Sequence, residues 1–207
     1  MPQTQQKFKL ILASGSTYRR ELLARLHLPF VSIAPDVDES ALRNELPEQT
    51  ALRLSEQKAA AIAKNHPNAV IIGSDQVATL EGEHIGKPGT HDAALKQLQK
   101  MRGKSVIFHT ALCLIDNRLE GNEKRNTYTI QTENVQTLVG FRQLSDSELD
   151  AYLRIEQPYD CAGSAKNEGL GITIIEKIVS NDPTALTGLP LISLTSMLRN
   201  IGISFYE

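Results

Sequence analysis

The sequence carries no excess of either charge, with 22 Lys and Arg against 24 Asp and Glu and a formal net charge of −2. That balance excludes a chain that coats a nucleic-acid backbone or an anionic membrane, so any basic site must be local. Cysteine is scarce as well. Cys113 and Cys161 stand 48 positions apart, with no CxxC and no Cys/His spacing suited to zinc, which predicts two thiols in a reducing compartment. The five histidines form no HxH or HxxxH pair and are expected to be surface or structural. Long apolar runs are missing too. The run at 10–13 is far shorter than a signal-peptide core, and nowhere is a stretch long enough to span a bilayer. The expectation is a cytoplasmic protein with neither a membrane nor polymeric nucleic acid as partner.

Apolar residues at 41% and charged residues at 22% are ordinary globular usage, which excludes disorder, fibrous structure and a stapled mini-protein. A length of 207 residues predicts one large domain, 1–207, or two closely joined lobes. No internal repeat, low-complexity tract or linker divides it.

The apolar run 10–13 predicts a buried strand, stopped by the turn chemistry of Ser14-Gly15-Ser16. Tyr18, Leu22, Leu23 and Leu26 then repeat at helical spacing, with Ser16 or Thr17 as the cap. Further along, the pattern predicts a strand at 30–34, an acidic loop at 35–40, a long helix at 48–65 and a strand at 69–74. Glu81-Gly82-Glu83 reads as a hairpin tip, and 92–101 as a helix capped by Thr90 or Asp92. The β-rich stretch 105–141 is interrupted by a polar loop at 116–126. A capping-box pattern at Ser145 to Glu148 opens a helix to about residue 154. Composition makes 161–171 a loop and 172–178 a strand, and Pro190 begins a last helix.

Several residues stand where chemistry could use them. Ser14, Ser16 and the small residues between strand and helix leave unpaired N–H groups, with Arg19 and Arg20 in the first helical turn: an arrangement suited to phosphate oxygens, or simply a capped helix with solvated arginines. Lys58 lies four residues from both Leu54 and Ile62 on an otherwise apolar face, so its ammonium either snorkels past the core edge or enters a cleft. Asp75 directly follows the strand expected at 69–74, and a carboxylate at such a strand end can bind a divalent ion or take a proton from water; an ordinary turn residue is the alternative. Asp36, Asp38 and Glu39 offer oxygens for magnesium or manganese, or form a solvated loop. Lys87 sits on the stiff Gly86-Lys87-Pro88 turn, from which an ammonium reaches a phosphate. Together these make an inventory for handling a polyphosphate with a metal. Gly103-Lys104-Ser105 lacks the preceding spacing of a phosphate-binding GxxxxGK[ST] loop, which excludes that motif.

In order and spacing, LILASGSTYRRELL, APDVDES, EQKAAA, IIGSDQV, GKP, CAGSAKNEGLGI and DPTALTGLPL resemble the Maf-like family of nucleoside triphosphate pyrophosphatases, from about Lys9 to Leu198. The resemblance implies an α/β fold with a mixed central β-sheet flanked by helices and two lobes around a nucleotide cleft. It implies hydrolysis of a nucleoside triphosphate between the α and β phosphates with a divalent cation, Mg2+ or Mn2+. Position by position, it makes Asp75 the proton acceptor or metal ligand and Glu39 a member of the metal site. Arg19, Lys58 and Lys87 would hold phosphates, and Ser14 and Ser16 would line the phosphate loop. Three further positions resemble the 7-methyl-GTP branch: Tyr18, Gln76 after Asp75, and Glu168 in Lys166-Asn167-Glu168-Gly169. An aromatic face and a carboxylate suit a methylated, cationic guanine, and Gln76 could donate to or accept from the base. Two residues depart from the pattern: Thr17 stands where proline is common, and Tyr18 where that branch has tryptophan. A dTTP/UTP pyrophosphatase of the same family stays open, as does a nucleotide-responsive regulator of septum formation that acts by binding protein. Monomer and homodimer are both open.

Overall fold

The structure, a computed structural model, describes residues 8–118 and 129–206. Its strands are β1 (Lys9–Ala13), β2 (Val31–Ser32), β3 (Ala69–Leu80), β4 (Glu83–Ile85), β5 (Ser105–Asp116), β6 (Thr129–Phe141) and β7 (Ile175–Ser180). The helices are α1 (Thr17–Ala24), α2 (Pro47–Ala63), α3 (His91–Met101), α4 (Asp146–Glu156) and α5 (Leu191–Asn200). One mixed sheet runs in the order β2-β1-β3-β5-β6-β7, with β4 paired to β3. β1 lies parallel to β2 and β3, and all other pairings are antiparallel. The expected α/β architecture of a mixed sheet flanked by helices is what forms.

Because β1 has no polar face, it is covered on both sides. Leu10 and Leu12 pack with Leu22, Leu23 and the α5 residues Leu194 and Leu198, while Ile11 and Ala13 pack with Ala59 of α2. The alternation of side chains along the strand divides them between two helical layers. A separate core forms further along the long strands, where Ala78, Leu80, Val106, Phe108 and Val139 meet Leu98 of α3 and Leu153 of α4. β3 and β5 thus pass through both lobes.

The helix starts are capped by hydroxyls: Ser16 Oγ accepts from the Arg19 amide, Thr90 caps α3, and Ser145 with Glu148 forms a capping box on α4. At α2, Pro47 supplies the preset first turn. Gly73 is what lets α2 lie directly on β3. A Cβ there would stand 2.2 Å from the Ser55 carbonyl oxygen and 2.9 Å from the Ala59 Cβ, so the helix backbone rests on the strand with nothing between. Lys58, one residue before Ala59, is thereby brought down onto the sheet.

Four expectations need correction. The strand expected at 69–74 continues to Leu80, because Asp75 to Thr79 pair in register with Ala111 to Ile107. Asp75 is therefore inside a strand, not at its end or in a turn. The strand expected at 30–34 pairs only at Val31 and Ser32, both exposed on the sheet edge. Residues 161–171 are not all loop: 3-10 turns form at Ala162–Ser164 and Leu170–Ile174. The second turn also takes the first residues of the strand expected at 172–178, so β7 begins at Ile175. Most of the polar loop expected at 116–126 lies outside the described residues.

Candidate active site

The parallel pairing of β1 and β3 ends at Ala13 and Gly73. β1 then leaves the sheet through Ser14-Gly15-Ser16 while β3 runs on through Asp75, and a cleft of about 1230 Å³ opens at this parting. The logic of a ligand site where parallel strands end is kept, although β3 itself continues. Ten of the residues singled out above, Asp75, Arg19, Lys58, Lys87, Ser14, Ser16, Tyr18, Gln76, Glu168 and Glu39, line this one cleft, whereas Arg20, Asp36 and Asp38 do not.

At one end the groups are charged. Lys58 does not snorkel: it is 5% exposed, and its Nζ donates to Asp75 Oδ1 at 2.6 Å and lies 2.7 Å from Glu39 Oε1. Burial pushes the Asp75 carboxyl above the ordinary carboxylate range, against the pull of Lys58 and Arg19. Glu39 is also pushed up by burial, but the Lys58 bond and the charges of Lys58, Lys87 and Arg19 outweigh this and hold it low. The two acids thus share one lysine and have their affinities for a proton moved apart. Lys87 is exposed on the cleft wall, and Asp38 is engaged instead in a local turn through the Ser40 amide.

Arg19 points back toward the chain that follows β7. Its Nε donates to the Gly188 carbonyl oxygen at 2.8 Å, and Ser74 Oγ donates to the same oxygen at 2.9 Å. Arg20, by contrast, is exposed. Ser14 Oγ accepts from the Ser16 amide at 3.1 Å. Both serines therefore shape the turn, and the amides of Thr17 and Tyr18 begin α1 beside them without an acceptor among the described residues.

At the other end the cleft is walled by Phe108, Val139, Ile175 and Leu186 and rimmed by Tyr18, Cys161, Asp160 and Glu168. Burial, then Cys161 and the charges of Asp160 and Glu168, push the Tyr18 hydroxyl upward, and burial pushes the Cys161 thiol to about 11. Neither ionises near neutral pH. The Tyr18 face already accepts a cation: Lys166 Nζ lies 5.9 Å from its centroid while also 3.3 Å from Glu156 Oε1. Glu168 is exposed at the rim.

Gln76 differs from its expected versatility. Its Nε2 lies 2.9 Å from Thr110 Oγ1, 3.1 Å from the Ala185 carbonyl and 3.0 Å from the Leu186 carbonyl, so its donors are committed to the chain and only Oε1 can serve a ligand. The 182–188 segment is what residue-type reasoning missed. It meets Arg19 and Gln76 through backbone carbonyls, which no residue type marks, although DPTALTGLPL carries part of the family resemblance and the φ of +111° at Gly188 demands glycine.

Among the described residues no group of three or more His, Cys, Asp and Glu is gathered for a metal. The donor set nonetheless suits a hard cation completed by its ligand, since Mg2+ is commonly held by one or two carboxylates together with phosphate oxygens and water. Asp75 and Glu39 converge on one point, and each uses only one oxygen on Lys58.

Comparison with known proteins accords with this geometry. The 7-methyl-GTP pyrophosphatase of Cupriavidus metallidurans is 60% identical over 193 residues, 93% of each chain. That of Ralstonia nicotianae is 59% identical over 192 residues, 93% of this chain and 95% of the other, and that of Aromatoleum aromaticum 55% identical over 195 residues, 94% and 96%. Among solved structures, the Staphylococcus aureus Ham1 protein gives a TM-score of only 0.39 at 17% identity over 65% of this chain and 72% of that one. A family model described as Maf-like protein matches residues 9–201, and with relatives this similar along nearly their whole length, the chain belongs to the Maf-like protein family.

Proposed function

We propose that the protein hydrolyses a nucleoside triphosphate between its α and β phosphates, with 7-methyl-GTP as the preferred substrate, releasing the nucleoside monophosphate and pyrophosphate. The observation that carries this is one cleft with a buried Asp75–Lys58–Glu39 cluster and Arg19 at one end, and an aromatic face with two acids at the other. The family membership and the names of the relatives support the same conclusion.

In this reaction the triphosphate lies along the charged end, its oxygens met by Arg19, Lys58, Lys87 and the amides at the start of α1. Asp75 takes a proton from the attacking water, whose oxygen bonds to the α phosphorus as the bond to the bridging oxygen breaks and pyrophosphate leaves. The raised proton affinity of Asp75 suits it to that step at neutral pH. Asp75 and Glu39 would hold Mg2+ or Mn2+, which when bound supplies positive charge to the phosphate oxygens. Lys58 holds both acids in place and offsets part of their charge before substrate arrives.

At the other end, a methylated guanine carries a positive charge on its ring. Tyr18 offers it a face that already accepts a cation, Glu168 a carboxylate, and Gln76 one acceptor oxygen. No helix among the described residues is long and apolar enough to cross a membrane, and both cysteines are free thiols. A cytoplasmic workplace, where nucleotides are found, fits this chemistry.

The test is kcat/KM for 7-methyl-GTP, GTP, dTTP and UTP in the parent and in Glu168→Gln. The parent should favour 7-methyl-GTP. Losing one charge-assisted bond costs about 1–3 kcal/mol, and at an exposed rim the lower part of that range applies, so the preference over GTP should fall by roughly tenfold. Stacking on Tyr18 would persist. An unchanged ranking in the variant would show that Glu168 does not read the base.

A further inference from the structure

We propose that Thr110, in the middle of β5, is a positioning residue for Arg19, acting through the turn at 185–188. The inference rests on the reading of Arg19 as a phosphate-holding group. Thr110 lies outside the cleft lining and is completely buried, so it does not touch substrate. A hydroxyl at such a position in a strand needs a partner, and it has two. Thr110 Oγ1 donates to the Ala185 carbonyl at 2.9 Å and accepts from Gln76 Nε2 at 2.9 Å.

The Ala185 carbonyl is the hub of the turn. It accepts from Thr110, from Gln76 Nε2 at 3.1 Å, and from the Gly188 amide at 2.9 Å. The last of these bonds closes the turn and sets where the Gly188 carbonyl points. That oxygen meets Arg19 Nε at 2.8 Å and Ser74 Oγ at 2.9 Å. The path from Thr110 to the guanidinium therefore runs from the hydroxyl to the Ala185 carbonyl, from there to the Gly188 amide, and through the Gly188 backbone to its carbonyl and Arg19 Nε. The Nε bond anchors the guanidinium at its base and leaves its two terminal nitrogens to an anion. Guanidinium plane and position both matter for a forked contact to phosphate, so an error in the turn passes directly to the cleft.

Thr110→Val keeps the shape and removes only the hydroxyl; Thr110→Ser restores it. Hydrolysis of 7-methyl-GTP should fall about 10- to 100-fold in kcat/KM for the valine variant, the scale of a misplaced positioning group, and return to within about threefold of the parent for the serine variant. The decisive readout is a double-mutant cycle with Arg19→Lys, which keeps the charge but has no Nε for the carbonyl. Once that contact is gone, Thr110→Val should cost less than about threefold more. Binding of the α,β-methylene analogue of GTP, read by calorimetry, gives the same cycle without turnover. If the valine variant does not fold, Ser74→Ala removes the second hydroxyl donor to Gly188 and should show the same non-additivity with Arg19→Lys. An undiminished loss in the Arg19→Lys background, failure of serine to rescue, or an unaffected valine variant would overturn the proposal. Unimpaired activity and binding in Arg19→Lys alone would instead overturn the phosphate-holding role of Arg19 and the proposal with it.

Discussion

Asp75→Asn is expected to lower kcat by about 10²-fold or more, the scale of a lost acid/base group, in a protein that still folds. Asparagine keeps the shape, and its carbonyl oxygen can still accept from Lys58. What it loses is the charge, and with it the capacity to take a proton from water or to hold a divalent cation. The parent should carry a matching signature. Because burial raises the Asp75 carboxyl above the ordinary range, activity should fall as pH falls through that raised value, with the acid limb of the profile above the usual carboxylate region. Pyrophosphate release across pH, with thermal unfolding measured alongside, checks both. Activity within a few-fold of the parent in folded Asp75→Asn would show that the carboxylate only pairs with Lys58.

Lys58→Met should have the largest effect on stability. The side chain fills similar space, but Asp75, 6% exposed, loses the ammonium 2.6 Å away. Removing one member of a buried ion pair leaves the other charge uncompensated, at a cost of about 3–5 kcal/mol. Glu39 is more exposed and can turn to water. The sign of the pH dependence follows. In the variant the folded-state pKa of Asp75 is raised above its unfolded value, so the stability linked to its proton is present at low pH and lost as pH rises through the raised pKa. The deficit relative to the parent should therefore be large at neutral pH and shrink on acidification. Lys58→Met combined with Asp75→Asn removes both charges and should recover much of the loss. Denaturant unfolding of the parent, single and double variants at pH 5 and 8 decides it: a deficit independent of pH, or no recovery in the double variant, would mean the loss is one of packing.

The residue types at the site were legible because each breaks a local rule. Lys58 interrupts an apolar helix face, Arg19 opposes the dipole at a helix start, and Asp75 directly follows a run of apolar strand residues. Their meeting was not legible, since Lys58 and Asp75 are 17 positions apart and joined only by the seating of α2 on Gly73. The apolar run that stops at Ser74 places Asp75 at a strand end, with a turn as the alternative for an aspartate. Pairing with β5 overrides that local preference and carries β3 through to Leu80. The orientation of Gln76 depends on carbonyls more than 100 positions away, at Ala185 and Leu186, which no local pattern encodes. The same holds for the Gly188 carbonyl on which Arg19 rests. The edge strand β2 is short for a related reason: its exposed residues gain little from longer pairing, and beyond the paired Val31 and Ser32 only the Ile33 amide reaches β1, at the Leu12 carbonyl.

The most direct test is the identity of the products formed from 7-methyl-GTP by the purified protein with Mg2+ or Mn2+, separated by ion-exchange chromatography. A cleft that seats the triphosphate along Arg19, Lys58 and Lys87 with Asp75 at the α phosphorus predicts 7-methyl-GMP and pyrophosphate in equal amounts, with no diphosphate intermediate. Orthophosphate and 7-methyl-GDP as primary products would contradict it.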